Sequence, residues 1–136
     1  MNNRNSQLVF DSKVIHTKFQ GEIDCDEILS AIEDWKVLIK NNDAIQVLIF
    51  DYMNATMAPL SSLDVIKIAE KTAVLTGISN NLIMIGVMSQ DLDVGLTNMW
   101  RAYSNLSSSI PDDQMYITRN LEDAFSLIEK LPLCNA

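Results

Sequence analysis

The sequence has few of the residues that cross-link small proteins or bind metal ions. Its 136 residues include two cysteines, Cys25 and Cys134, near opposite ends of the chain, and one histidine. A chain of this size can form a core without a disulfide, so we expect reduced thiols. No Cys or His cluster has the spacing of a metal site. We therefore expect neither a metal nor a cofactor.

Positive charge is also scarce. Lys and Arg number 10 against 18 Asp and Glu, which gives a net charge of -8, and the acidic residues are spread along the chain. Such a surface repels the phosphates of nucleic acids and anionic membranes, and no basic run offers a local exception. The composition excludes nucleic acid as an expected partner.

Long apolar runs are absent as well. The longest relevant run, residues 82–88, is far shorter than the ~20 residues that span a bilayer. Residues 1–7 lack the apolar centre of a signal peptide. We expect a cytoplasmic protein that is not integral to a membrane, with one domain over residues 1–136 and residues 1–6 flexible.

The apolar residues that are present follow strand and helix periods in turn. Residues 8–10 and 14–20 predict an antiparallel hairpin whose second strand is half-buried, with His16 facing solvent. Three further strands then alternate with four helices, in the order β-β-α-β-α-β-α-β-α. This order predicts an α/β fold with a mixed, mostly parallel sheet of about five strands and about four helices.

The helix limits follow from capping and breaking residues. Asp24, Ser61 or Ser62, and Asn120 are typical caps at helix starts, while Gly77 and Pro132 are typical of helix ends. The apolar faces predicted for the second and third helices comprise Leu63, Ile66, Ala69, Ala73 and Val74, and Leu92, Leu96, Trp100, Tyr103 and Leu106. Gly86, in the fourth strand, predicts close approach of a helix.

The candidate site follows the central strand. Residues 47–51 form a continuous apolar run that ends in Asp51, as in a strand that is buried on both faces. Ligands of open α/β sheets gather beyond the carboxyl ends of such strands. The candidate binding residues here are Asp51, Met53, Asn54, Met57 and Leu60. Alternatively, Asp51 binds backbone N–H groups of the loop, and the apolar loop folds back over the sheet.

Two further pairs of residues carry a functional and a structural interpretation. Ser61 and Ser62 are either regulatory hydroxyls or ordinary helix caps. Trp100 and Tyr103 share a helix face that is either core or the wall of an apolar pocket.

No phosphate loop, dinucleotide fingerprint, catalytic triad or nucleophile elbow is present. We therefore predict no catalytic residues and no enzyme activity.

Several local patterns, in their order and spacing, resemble the STAS superfamily, in particular the stand-alone bacterial SpoIIAA-like branch. They are the strand in residues 14–21, the acidic helix start in residues 24–27, the strand that ends at Asp51, the strand and loop in residues 82–91, and the closing helix in residues 121–125. The resemblance covers about residues 12–131. It implies the same mixed α/β fold.

The resemblance also implies a regulatory role. In anti-sigma-factor antagonists, a partner kinase phosphorylates a serine at this helix start and so changes which protein is bound. Ser61 and Ser62 fall where that family has Asp-Ser-Ser-Gly-Leu, although Leu60 replaces the Asp and the Gly is missing. We expect a protein partner such as a kinase or an anti-sigma-like regulator. The alternative is a carrier or sensor of a small apolar or lipid-like ligand, held between sheet and helices.

An exposed strand edge is compatible with a homodimer.

Overall fold

The computed structural model describes residues 3–79 and 81–131. Pro132 and Cys134, to which the sequence analysis assigned a helix end and a free thiol, lie outside these residues. The elements are β1 (Arg4–Val9), β2 (Val14–Glu22), α1 (Cys25–Lys40), β3 (Val47–Thr56), α2 (Ser62–Ile78), β4 (Ile83–Val87), α3 (Asp91–Ser108), a short 3-10 helix (Asp112–Gln114), β5 (Met115–Thr118) and α4 (Leu121–Lys130).

The five strands form one sheet in the order β1-β2-β3-β4-β5. β1 and β2 are antiparallel, and each later neighbour pair is parallel. The predicted fold class and element order are thus confirmed, with β3 as the central strand. β3 is longer than predicted, since it continues past Asp51 to Thr56, with a register shift relative to β2.

Side chains alternate between the two faces of the sheet and build two cores. Helices α1, α2 and α3 cover one face, where Trp35 and Trp100 pack near Phe50. Helix α4 covers the other face through Ala124 and Ile128. Because both faces are covered, β3 is buried from Val47 to Tyr52, as the continuous apolar run predicted.

The prediction that β2 is half-buried was wrong. Four consecutive residues, from Val14 to Thr17, are buried, so both faces of this strand are covered there. His16, predicted to face solvent, lies beneath Phe125 of α4 with its ring centroid 6.0 Å away. A polar residue in an alternating strand indicates solvent only if no helix covers that face.

The apolar faces predicted for two helices were only partly right: Ala69 and Trp100 are buried as predicted, but several other predicted members are not. In α2 the buried residues are Val65, Ile68, Ala69, Thr72 and Leu75, and in α3 they are Asp93, Thr97, Trp100 and Ser104. Leu63, Val74, Leu92 and Leu106 are exposed instead. Both helices contain apolar residues on several sides. On the inward face of α3, Asp93 and Thr97 have hydrogen-bond partners inside the protein.

Smaller differences concern element ends and one glycine. β1 begins at Arg4, within the segment expected to be flexible, and the Arg4 guanidinium bonds to Glu27 and Ser30 of α1. Helix α2 continues through Gly77 to a C-cap at Ser79. The close neighbour of Gly86 is the ring of Phe50 on the adjacent strand, not a helix.

Candidate functional site

The chain between β3 and α2, residues 57–61, is hereafter the β3–α2 loop. Met57 and Leu60 are buried in the core, whereas Ala58 and Pro59 between them are exposed. The Leu60 N–H donates to the Met57 carbonyl at 2.9 Å, which closes a tight turn. The loop is therefore anchored at two points and presents its tip to solvent.

A buried carboxylate from α3 holds the start of this loop. Asp93 Oδ1 accepts hydrogen bonds from the Met57 N–H at 2.8 Å and from the Thr56 hydroxyl at 3.3 Å. Asp93 has no exposed surface. Asp93 was not predicted as a site residue, because an acidic residue in the first turn of a helix is ordinary.

Ser61 is the N-cap of α2. Its hydroxyl accepts from the Asp64 N–H at 3.2 Å, and its own N–H donates to Asp64 Oδ2 at 2.9 Å. The bond from that N–H is the main reason that the pKa of Asp64 lies below its ordinary value. Ser62 is the first helical residue and is exposed. The two candidate hydroxyls thus differ, since one is engaged in a capping box.

Two leucines are exposed on the first turns of α2 and α3. Leu63 is 77% exposed and Leu92 is 53% exposed. Both helices pack against each other and begin after the carboxyl ends of β3 and β4. The sequence analysis placed both leucines in the core, so this apolar surface was missed.

Asp51 lies on the other face of the sheet, within β3 and not in a loop. His16 Nε2 is 2.9 Å from Asp51 Oδ2, and the Met53 N–H donates to Asp51 Oδ1 at 2.9 Å. Burial acts to raise the pKa of Asp51, but these two hydrogen bonds, together with Coulombic attraction to His16 and Lys18, outweigh it and hold the pKa below its ordinary value. Asp51 is buried, whereas Met53 and Asn54 beyond it are exposed. The bond to Met53 supports the structural interpretation of Asp51.

A cavity of about 50 Å³ lies between the sheet and helices α1 to α3. Its lining is mainly apolar and comprises Ile28, Ile32, Trp35, Phe50, Tyr52, Met57, Leu60, Val65, Ile68, Thr72, Met84, Leu96, Thr97 and Trp100. Of the candidate residues, Met57, Leu60 and Trp100 meet at this cavity. Tyr103 is half-buried and does not line it. The β3–α2 loop thus forms part of the cavity wall and part of the protein surface.

Within residues 3–79 and 81–131, no three His, Cys, Asp or Glu side chains are grouped so that they could hold a metal ion. In the same part of the chain, no helix has both the length and the hydrophobicity needed to cross a membrane.

The fold can be compared with known proteins. No protein-family model matches the sequence, and a comparison with curated proteins gives no match. Among solved structures, the chain is similar to the anti-sigma factor antagonist SpoIIAA in its unphosphorylated form, with a TM-score of 0.51 and 12% sequence identity. The similarity covers 94% of this chain and 99% of that one. It confirms the STAS-like resemblance at the level of the fold.

Proposed function

We propose that this STAS-like domain is a regulatory module of the bacterial cytoplasm that binds a protein partner and has no catalytic activity of its own. The binding surface comprises the exposed tip of the β3–α2 loop, Ser62, and the first turns of α2 and α3. We call it the loop surface. The single observation that carries the proposal is the exposure of Leu63, 77% of whose surface is in solvent.

An isolated exposed leucine needs no explanation. Leu63, however, follows Ser61 and Ser62 directly, and Leu92, the second residue of the adjacent helix, has 53% of its surface exposed. The exposed Pro59 precedes both serines on the loop. Apolar side chains gathered at one end of a sheet, with polar residues between them, are typical of surfaces that bind proteins. Met53 and Asn54, in the second half of β3, are also exposed, and we include them in the proposed surface.

Phosphorylation of Ser62 or Ser61 would control this surface. A phosphate adds about -1.5 to -2 charge, and the free N–H groups at a helix start stabilise an anion. On Ser61 the phosphate would displace the capping bond to Asp64, whereas on Ser62 that bond would remain. The similarity to SpoIIAA, an anti-sigma factor antagonist solved in an unphosphorylated form, supports this control.

The surroundings of His16 support the absence of catalysis. It is the single histidine of the chain, it is buried, and its ring nitrogen bonds to Asp51. Among the described residues, neither a serine hydroxyl nor a cysteine thiol is hydrogen-bonded to it. A Ser-His-Asp mechanism needs such a nucleophile on the histidine.

The test is capture of a partner from lysate of the native host. We expect Leu63→Ala to weaken capture at least tenfold, which corresponds to ~1.4 kcal/mol. Leu106→Ala is the matched control, because Leu106 is an exposed leucine near the distal end of α3. Ser62→Glu should change which protein is retained. Leu60→Asp would restore the aspartate of the family pattern, but it is unsuitable as a test because Leu60 is buried. Equal capture by the two leucine variants, or no partner for the wild type and Ser62→Glu, would contradict the proposal.

The cavity favours a second candidate function, the binding of a small apolar ligand. Its volume of about 50 Å³ holds only about three to five water-sized groups, at ~10–15 Å³ each. It therefore suits a compact molecule, and a fatty acyl chain would need the helices to move. Native mass spectrometry of protein purified without detergent tests this candidate. A mass without ligand, and no uptake of added small apolar compounds, would rule it out.

A further inference from the structure

Five side chains in the wall of the cavity carry a nitrogen or oxygen atom. They are Trp35, Tyr52, Thr72, Thr97 and Trp100. The Trp35 Nε1–H donates to Thr17 Oγ1 at 2.8 Å. The Trp100 Nε1–H donates to Thr72 Oγ1 at 3.2 Å, and that hydroxyl donates in turn to the Ile68 carbonyl at 2.7 Å. Three of the five polar groups therefore have partners inside the protein.

Tyr52 differs from the other four. Thr97 Oγ1 donates to the Met88 sulfur at 3.1 Å, whereas the Tyr52 hydroxyl has no hydrogen-bond partner among residues 3–79 and 81–131. In the same part of the chain, the fully buried side-chain atoms without a partner are Asp93 Oδ2, Arg101 Nε and Ser104 Oγ. The Tyr52 oxygen is not one of these, so it retains accessible surface, although only 4% of the residue is exposed. The cavity wall thus contains one accessible hydroxyl that no described residue uses.

The ring of Tyr52 is held firmly by its neighbours. It stacks on Phe19, with ring centroids 4.7 Å apart and 7° between the planes, and it meets Phe50 edge-on at 6.2 Å. Most tyrosines that are buried to this extent find a hydrogen-bond partner for the O–H group. A free hydroxyl on a fixed ring in an otherwise apolar wall is a feature of sites that orient a ligand.

The surroundings of Tyr52 keep its hydroxyl protonated. Burial first, and then the nearby negative charge of Asp93, raise the pKa of Tyr52 above its ordinary value. Asp93 is not itself part of the cavity wall, so it acts here only through its charge. At neutral pH the phenol therefore offers an O–H donor.

We propose that the cavity binds a compact apolar molecule that carries one hydrogen-bond acceptor, such as a small ketone or ether, and that the Tyr52 hydroxyl donates to that acceptor. The apolar wall holds the hydrocarbon part, and the single free donor orients the molecule. This inference rests on the second candidate function, the binding of a small apolar ligand. It adds the chemical class of the ligand and the residue that recognises it.

The test uses two probes of nearly the same shape. Butan-2-one has a carbonyl oxygen where 2-methylbut-1-ene has a CH2 group, so the two differ in the acceptor. Trp35 and Trp100 are the two tryptophans of the chain and both line the cavity, so their indole N–H signals in an NMR titration report binding there. Because water solvates the ketone better than the alkene, the quantity compared is the change in the affinity of each probe on substitution.

Tyr52→Phe removes the hydroxyl and keeps the ring. We expect it to weaken binding of the ketone at least about tenfold and to leave the affinity for the alkene within about twofold of wild type. Tyr103→Phe is the matched control, because Tyr103 is half-buried and does not line the cavity. It should leave the affinities for both probes unchanged.

The outcomes separate this inference from the function on which it rests. If neither probe moves the indole signals of the wild type, the cavity binds no ligand of this size, and both fail. If only the alkene binds, or if Tyr52→Phe leaves the ketone affinity unchanged or weakens both probes equally, the cavity is a ligand site that does not use the hydroxyl. In that case only this inference fails.

Infrared spectroscopy of the ketone bound to the wild type gives a second readout, which decides the matter if Tyr52→Phe does not fold. A carbonyl that accepts a hydrogen bond stretches at a lower frequency than the same carbonyl in an apolar solvent. We expect this lower frequency for the bound ketone, and a band at the position found in the apolar solvent would overturn the inference.

Discussion

His16 and Asp51 form a buried pair across β2 and β3, with His16 Nε2 2.9 Å from Asp51 Oδ2. The pair lies on the face of the sheet that α4 covers, opposite the cavity. Its two residues are 35 positions apart in the sequence, and both are less than one tenth exposed. It fixes the middle of β3, because the other oxygen of Asp51 holds the Met53 N–H.

Removal of the histidine should leave Asp51 Oδ2 buried without a donor. We expect His16→Leu to lower the free energy of unfolding by about 1–3 kcal/mol, measured by urea denaturation at neutral pH. Gln20→Ala, an exposed change on the same strand, should stay within ~0.5 kcal/mol of wild type. An equal effect of the two substitutions would show that the pair contributes nothing.

The depressed pKa of Asp51 predicts a pH dependence with a definite sign. A carboxyl whose pKa is lower in the folded state than its ordinary value of 3.8 stabilises the fold fully above pH 3.8. That contribution is lost as the pH falls through the folded-state pKa. The stability advantage of wild type over Asp51→Asn should therefore shrink below about pH 4 in urea titrations. A constant difference from pH 7 to pH 2.5 would contradict the assigned contacts.

Gly86 leaves room for the ring of Phe50. A Cβ at position 86 would lie 2.7 Å from Phe50 Cε2 and 2.8 Å from the Met88 methyl carbon. We expect Gly86→Ala to destabilise the protein by about 1–3 kcal/mol. Gly77→Ala is the control, because no atom lies within 4 Å of its added Cβ. In the last turn of α2 that change should be neutral or should stabilise by up to ~1 kcal/mol. Thermal unfolding distinguishes the two, and similar melting temperatures would refute the close approach.

The two serines at the start of α2 should differ in their structural roles. Ser61→Ala removes the hydroxyl that accepts from the Asp64 N–H, so a loss of ~1 kcal/mol is expected. Ser62→Ala leaves the capping box intact and should change the unfolding free energy by less than ~0.5 kcal/mol. Chemical denaturation measures both. If Ser62→Ala were the more damaging change, the cap would be misassigned.

Much of the fold could be predicted from local features of the sequence. Helix caps were predicted at Asp24, at Ser61 or Ser62, and at Asn120. The caps are Asp24, Ser61 and Asn120, and each accepts the backbone N–H three residues on. Such caps depend on residues within one turn of each other, so the sequence alone contains the information. The continuous apolar run of residues 47–51 likewise identified the central strand, because such a short run is typical of a strand covered on both faces.

The candidate site could be predicted only in part. The loop after the central strand was identified with Met57 and Leu60, and these two residues meet Trp100 at a cavity. The exposure of Leu63 and Leu92, and the orphaned oxygen of Asp93, could not be predicted. Each depends on how α2 and α3 are rotated against the sheet, and both helices have apolar residues on more than one side.

The sequence by itself therefore determined the order of strands and helices, their capped starts and the acidic charge of the chain. Only the tertiary structure decided that His16 is buried, that a cavity forms under α1 to α3, and that Asp93 ties the β3–α2 loop to α3. The physical reason is the separation in the sequence between the residues that interact. Helix caps and periodicity are interactions between near neighbours in the chain, whereas burial and hydrogen-bond satisfaction depend on groups that only folding brings together.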